Sequence, residues 1–317
     1  MFYFFLQARH HCTTNMEAEK DRLKATLDLE EPTEDLMEWA KDNINEDPDK
    51  SDQIVSDFRD MIFAKGECTP HRTDDAFLLQ FLRARHFIVG KAHRLMVNYY
   101  KFKESNPQYF KEVKLERVRE LARNHIISVP PYKDQLGRRL MIQRMGIWKP
   151  SEFTTDELFQ LTIGILEVAL MEPQFQIKGG VMIFDLSELS ISQAWYMTPT
   201  IANHIIQVAL TSMPIRIEGI HILYQSWVFE IAYNFIQPLI NEGVKDRIVF
   251  HGDDLESLHS HVDPKHLPKR YGGVHIDYPV DIWFEDWVKH DDRIIQNLVD
   301  LGYDDMERLK EDREEEK

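Results

Sequence analysis

The sequence has few of the features that mark secreted or membrane-spanning proteins. Its 317 residues include only two cysteines, Cys12 and Cys68, and neither belongs to a CxxC pair. We therefore expect no disulfide framework and a reducing compartment. No apolar run approaches the roughly 20 residues that cross a bilayer. The opening run, MFYFFL, is too short for a secretory signal, which favours an extended or alternative start, with Met16 as a candidate first residue of the working protein.

Positive charge is also scarce. Lys and Arg total 38 against 54 Asp and Glu, which gives a formal net charge of −16. Acidic residues are concentrated between residues 17 and 60 and at the C-terminal end. Because nucleic-acid binding needs a coherent basic face, this composition argues against a nucleic-acid partner. Contact with an anionic membrane requires a local basic patch instead.

Motifs for catalysis are missing as well. The sequence contains no GxSxG elbow, no Walker lysine motif and no GxGxxG after a predicted strand. Asp185 ends a predicted strand, where α/β proteins place ligands, but a turn-capping role is favoured because no partner is evident. The histidines of HGDDLESLHSHVDPKH allow a zinc site, but their spacing is loose and favours surface and helix-end roles. We therefore expect no enzyme activity, no metal and no cofactor.

What the sequence does contain is a change of hydrophobic period. Residues 17 to about 105 follow helical spacing throughout, and Thr73 is a predicted N-cap of the segment DDAFLLQFLRA. Two strands joined by a turn at Asp134–Gly137 follow. The segment TTDELFQLTIGILEVAL predicts a helix with a Thr154–Glu157 capping box. Alternating strands and helices come next, so the fold class is α/β with a mixed, largely parallel sheet.

Three successive helical segments carry more apolar side chains than one buried face needs. They are LFQLTIGILEVAL, TIANHIIQVAL and SWVFEIAYNFIQPLI. Each alone is typical of a core helix. Together, over one small sheet, they are also compatible with the walls of a ligand cavity. Composition alone favours the solid core over the cavity.

Several longer motifs are more specific. The segments TDDAFLLQFLRARHF, NYYKF, IFDLSELSISQAWYMTPT, SMPIRIEGIHIL, RIVFHGDDLESLH and HLPKRYGGVH occur in this order. Over residues 50–285 the chain resembles the CRAL-TRIO lipid-transfer family, in the branch of the α-tocopherol transfer protein, the retinaldehyde-binding protein and the clavesins. Composition predicts a flexible acidic extension (1–45) and a helical, acidic tail (281–317). Between them, the resemblance implies a helical subdomain (46–110) and a lipid-binding domain whose helices and sheet enclose a hydrophobic pocket (111–280).

The resemblance implies a set of pocket-lining residues, carried over by position. They are Phe159, Thr162, Ile163, Leu166, Ile183, Leu189, Ile205, Val208, Ala209, Ile215 and Ile217. Leu166 stands where the tocopherol protein has a serine near the chromanol hydroxyl, and Leu189 stands where it has tryptophan. We therefore expect a more apolar, differently shaped pocket, in which tocopherol itself is not assured.

The family also implies a mobile amphipathic gate over the pocket, matching Gln225–Arg247. One apolar face of the gate would cover the cargo when closed and meet a membrane when open. The expected gate residues are Trp227, Val228, Phe229, Ile231, Phe235 and Leu239. Trp227 and Phe229 are expected to act as interfacial anchors.

A phosphoinositide site beside the gate is implied at Arg85, Arg216, Lys245 and Arg247. Glu218 and Gly243 replace two cations of the tocopherol protein, which weakens phosphate attraction, and helix-end roles for these cations remain an alternative. We expect an intracellular carrier that binds a tocopherol, retinoid or related isoprenoid and exchanges it at endosomal or other intracellular membranes. One alternative is a clavesin-type phosphoinositide-binding trafficking adaptor. A second is an enzyme acting on lipids, which the missing nucleophile and cofactor motifs argue against.

Overall fold

The computed structural model describes residues 25–111, 113–278, 280–283 and 292–303. The N-terminal third is helical, as predicted. Its helices are α1 (Glu34–Ile44), α2 (Pro48–Lys65), α3 (Asp75–Ala84), α4 (Val89–Ser105) and α5 (Leu115–Ala122). The N-cap of α3 is Asp74, which accepts the amide proton of Phe77, so the expectation of Thr73 was wrong by one residue. Both residue types cap well, and sequence alone did not discriminate between them.

Helix α1 lies within the segment expected to be a flexible extension (1–45). Thr33 caps it, and its buried Ala40 and Ile44 pack against Ile177. The structure therefore differs from that expectation over 34–44, because an amphipathic face finds a partner in the second half of the chain. Residues 1–24, which include Cys12 and Met16, lie outside the described residues.

Five strands form one sheet in the order β1-β2-β3-β4-β5. They are β1 (Ile127–Ser128), β2 (Arg139–Arg144), β3 (Gly180–Asp185), β4 (Ile217–Leu223) and β5 (Ile248–Gly252). Strands β1 and β2 pair antiparallel, and the other three pairs are parallel. The β1–β2 connection contains the predicted turn, in which Gly137 N donates to Asp134 O at 3.0 Å. The predicted mixed, largely parallel sheet is confirmed.

Helices cover both faces of this sheet. They are α6 (Thr155–Ala169), α7 (Pro173–Lys178), α8 (Ile191–Ala194), α9 (Pro199–Ile206), α10 (Trp227–Ile236), α11 (Glu242–Lys245), α12 (Leu255–His259) and α13 (Asp292–Asp300). The predicted Thr154–Glu157 capping box begins α6. Helix α9 continues into a π-helical turn, Gln207–Ser212. On the sheet face opposite α6, Leu140, Ile183 and Leu223 pack with Leu258 and Tyr271.

Buried polar contacts join the helical subdomain to the sheet layer. Arg83 forms an ion pair with Glu46, with 2.6 Å between Nη2 and Oε1, and its Nη1 donates to Gln176 on α7. The hydroxyl of Tyr99 donates to the buried Glu167 of α6 at 2.8 Å. Burial raises the pKa of the Glu167 carboxyl and outweighs the opposing charge of Lys103. These paired groups fix the position of α6, which forms one wall of the site described next.

Candidate functional site: an apolar cavity under a helix

A cavity of about 270 Å³ lies between the sheet and the helices that cover one face of it. Its walls come from β1 to β5, the loop before α6, and helices α6 and α8 to α11. The lining side chains are almost all apolar, and none of them is Lys, Arg, Asp or Glu. Such a cavity suits a hydrophobic ligand that carries no charge. The structure thus departs from the solid core that composition alone favoured.

Eight of the predicted pocket residues lie in the cavity wall. They are Phe159, Thr162, Leu166, Leu189, Ile205, Val208, Ala209 and Ile215. Three do not. Ile163 is fully buried in the core, and Ile183 lies in the second core on the opposite sheet face. Ile217 lines a smaller neighbouring cavity. The role of the eight in lipid binding remains a prediction.

The misplacement of Ile183 follows from strand geometry. Successive side chains of a strand point to opposite faces of the sheet. An assignment that is wrong by one residue therefore places a core side chain in the cavity. The side chains of β3 that face the cavity are Met182 and Phe184. Strand β4 contributes Ile220 and Ile222 in the same way. A strand buried on both faces reads as a continuous apolar run, and the sequence carried no signal for the correct face.

The smaller cavity, of about 50 Å³, lies at the other end of the same sheet face. Leu166, Met182 and Ile215 line both spaces and so form a partition between them. Arg139 and Glu172, which form a buried ion pair, line the far end of the smaller cavity. The partition therefore sets the depth of the main cavity.

Helix α10 closes the main cavity and corresponds to the predicted gate. Its inner face places Phe229, Ala232, Tyr233 and Ile236 in the cavity wall. The rings of Phe229 and Tyr233 also pack on Phe250 of β5, with centroids 6.1 and 5.5 Å away. Of these four, only Phe229 was among the predicted gate residues.

The outer face of α10 is also apolar. Trp227 is 62% exposed, Ile231 41% and Phe235 40%, and Leu239, just beyond the helix, is 43% exposed. All four were predicted gate residues, as was Val228, which is buried. In the structure the helix has two apolar faces, one on the cavity and one on solvent, and these four residues lie on the outer one.

The exposed apolar surface continues beyond α10. Helix α8, which contacts α10, carries Ile191 at 46% exposure and is followed by Trp195 at 77% and Tyr196 at 45%. We call this surface, Ile191, Trp195, Tyr196, Trp227, Ile231, Phe235 and Leu239, the outer apolar face. Exposed apolar residues contiguous over two helices indicate a surface that binds something other than water.

The chain enters α10 through an unusual backbone conformation. Tyr224 has a φ of 56°, in the left-handed region that costs a tyrosine about 1 kcal/mol or more. Gln225 Oε1 accepts the amide proton of Gly252 at 2.9 Å, and Ser226 caps the helix without a side-chain hydrogen bond. Backbone strain of this kind clusters at ligand-binding and switch regions of proteins.

Two of the four predicted phosphoinositide residues, Arg216 and Arg247, both act on the imidazole of His86. Burial lowers the pKa of His86, and the charges of Arg216 and Arg247 lower it further against the opposing charge of Glu218. Arg216 Nη2 lies 2.8 Å from Glu218 Oε1, so its charge is already paired. Arg247 donates to the carbonyl of Ile217 at 2.7 Å.

The remaining two predicted cations, Arg85 and Lys245, bond to other groups. Arg85 donates to the carbonyl of Leu210 at 2.9 Å and so stabilises the π-helical turn in the cavity wall. Lys245 lies 2.7 Å from Glu242. The structure thus brings Arg247 to the carbonyl of Ile217, next to Arg216, whereas Arg85 is held at Leu210 and Lys245 is paired on α11. Their binding to a phosphoinositide remains a prediction.

Asp185 and the histidines occupy structural positions. Asp185 accepts from Ser187 N at 2.9 Å and from the Tyr271 hydroxyl at 2.8 Å, which agrees with the favoured capping role. His221 Nδ1 lies 2.9 Å from His251 Nε2, on the sheet face away from the cavity. Within the described ranges, no group of three or more His, Cys, Asp or Glu side chains is arranged to hold a metal ion. Nor is any described helix both long and apolar enough to cross a membrane.

The chain is similar to several known proteins. Residues 123–273 match the model of the CRAL/TRIO domain and include all five strands and α10. Clavesin-1 of Rattus norvegicus is 32% identical over 251 residues, which cover 78% of this chain and 71% of that protein. Clavesin-2 of Homo sapiens is 30% identical over 273 residues, 86% of this chain and 80% of that protein. The crystal structure of Sfh5 aligns with a TM-score of 0.49 at 16% identity, covering 72% and 88% of the two chains.

Proposed function

Because this chain belongs to the CRAL/TRIO family, we propose that it carries one tocopherol, retinoid or related isoprenoid in the main cavity and exchanges it at membranes. Binding and transfer of a hydrophobic ligand is the class of function that the family supports. The observation that carries the finer proposal is an uncharged apolar cavity closed by a single helix. Burying apolar ligand surface at about 25 cal/mol per Å² supplies affinity without any charged contact.

Exchange takes place where the outer apolar face meets a bilayer. Trp227 and Trp195 are suited to the interface between headgroups and acyl chains, where an indole ring keeps its N–H group hydrated. Because α10 bears apolar groups on both sides, it can leave the cavity and enter lipid without exposing its inner face to water. The glutamate on this helix, Glu230, adds only one charge to be kept in water.

Anionic lipid headgroups assist this step through Arg216 and Arg247. A phosphate that binds Arg216 must compete with Glu218, so phosphoinositide binding is weaker than four free cations would give. The protein acts as a carrier without catalysis and needs no cofactor besides its cargo. We place it in the cytoplasm, peripheral to endosomal or other intracellular membranes.

A second function is favoured by the clavesin relatives. A phosphoinositide-binding trafficking adaptor would use the basic residues near His86 as its main site, with the cavity cargo incidental. In that case, vesicle binding would depend on Arg247 whether or not the cavity is filled.

The decisive experiment is native mass spectrometry of the full chain from its own tissue, followed by extraction and identification of the released lipid. One isoprenoid at a ratio of one per chain is the expected result. Transfer of that lipid between donor and acceptor vesicles is then measured for the wild type and for Arg247→Gln. An empty cavity or a mixture of phospholipids, with vesicle binding lost in Arg247→Gln, would establish the adaptor instead.

A further inference from the structure

One polar side chain stands out in the wall of the main cavity. Gln143 lies on the cavity face of β2, in register with Ile127 of β1 and Phe184 of β3. Both of these neighbours also line the cavity. The amide thus projects from the rigid sheet into apolar surroundings, at a fixed position.

The amide of Gln143 is poorly satisfied by the protein. Its Nε2 donates only to the sulfur of Met141, at 3.5 Å, and no described residue gives its Oε1 a hydrogen bond. Gln193, also in the cavity wall, shows the contrast, since its Nε2 donates to the carbonyls of Met145, Gly146 and Trp148. An amide with only this weak partner in an apolar cavity favours a ligand group that can hydrogen-bond to it.

Other polar groups in the wall are less suited to this role. Thr162 lies on α6, where a threonine hydroxyl can bond to the carbonyl one turn earlier in its own helix. Tyr233 lies on α10, and its ring is already packed against Phe229 and Phe250. Among the polar side chains of the described wall, Gln143 is the one that stands on the sheet and has only a weak partner.

We propose that Gln143 hydrogen-bonds the polar end of the cargo, so that the cargo is an uncharged amphiphile with one hydroxyl or carbonyl group. The inference rests on the proposed carrier function. An amide both donates and accepts, so it suits an alcohol and an aldehyde alike. An ionised carboxylate is disfavoured because no cationic side chain lines the cavity.

The test uses four probes that share one carbon skeleton, namely farnesol, farnesal, farnesoic acid and the hydrocarbon farnesene. Their dissociation constants for the full-length chain are measured by competition with one fluorescent isoprenoid. Gln143→Leu removes the amide at nearly constant volume, and Gln143→Met provides a second apolar variant if the first fails to fold. Thr162→Val is the matched control, because it removes a polar group from another position in the same cavity wall.

In both Gln143 variants we expect farnesol and farnesal to bind about tenfold more weakly, with farnesene unchanged or tighter. Farnesoic acid should bind the wild type most weakly at neutral pH, and Thr162→Val should leave the order unchanged. Equal losses for farnesene and farnesol, or a selective loss in Thr162→Val alone, would overturn the role of Gln143 while the carrier function stands. If no probe competes at all, both proposals fail.

Discussion

Leu166 is the residue on which the depth of the cavity depends. Its side chain, 7% exposed, borders both the main cavity of about 270 Å³ and the smaller one of about 50 Å³. Leu166→Ala removes three carbons from the partition and should join the two spaces. A bound isoprenoid could then extend past Met182 and Ile215 towards Trp283.

The cost of Leu166→Ala to the empty protein can be estimated. Loss of three buried carbons, at about 0.8 kcal/mol each, gives about 2.4 kcal/mol. Leu→Ala substitutions in closed cores cost about 2–5 kcal/mol, and the lower end applies here because the side chain already borders empty space. A decrease of roughly 5 °C in Tm is expected without ligand.

A longer cargo should recover this loss. The affinities of farnesol, with fifteen carbons, and geranylgeraniol, with twenty, are compared in both proteins. We expect Leu166→Ala to shift the ratio of the two dissociation constants by at least tenfold in favour of the longer alcohol. A tenfold change corresponds to about 1.4 kcal/mol, which the burial of fewer than two additional methylene groups supplies. Ile163→Ala is the matched control, since it also removes three carbons from α6 but borders neither cavity. An unchanged length preference in Leu166→Ala, or the same shift in Ile163→Ala, would refute the partition.

Three further predictions concern the surface and pH. Trp227→Ser should weaken binding to neutral vesicles by about tenfold. The control Leu136→Ser, at a 57% exposed position in the β1–β2 turn, should leave this binding unchanged. Similar effects of the two substitutions would argue against the outer apolar face as the membrane contact. Glu218→Gln should release Arg216 from its ion pair and so strengthen binding to anionic vesicles about fivefold in low salt. Unchanged vesicle binding would show that Arg216 does not contact the lipid headgroups. Burial, with neighbouring imidazoles, lowers the pKa of His221 to about 3, so the unfolded chain binds its proton first as the pH falls. As the pH falls from about 6.5 to about 3, this residue should therefore lower the free energy of unfolding by about 1.4 kcal/mol per pH unit. In denaturant titrations at several pH values, His221→Gln should remove this contribution.

Much of the architecture was accessible from sequence because its signals are local. The Thr154–Glu157 capping box and the turn at Asp134–Gly137 involve residues only a few positions apart. The strand–helix alternation predicted the largely parallel sheet, and the motifs from TDDAFLLQFLRARHF onward led to the family that comparison confirms. Turn and cap chemistry constrain the backbone before any long-range contact forms.

The distribution of side chains between cavity, core and solvent was decided by tertiary structure. Ile183 and Phe184 are adjacent and both apolar, yet one packs in the second core and the other lines the cavity, because the pleat sends them to opposite faces. Ile231 and Ile236 lie on the same helix, α10. Because of the orientation of this helix over the sheet, Ile231 is exposed to solvent and Ile236 lines the cavity. Gln143 could not be singled out for a similar reason. A glutamine side chain is available to a ligand when the folded protein gives it no strong hydrogen-bond partner. Whether such a partner lies nearby depends on residues distant in sequence, which the local sequence does not reveal.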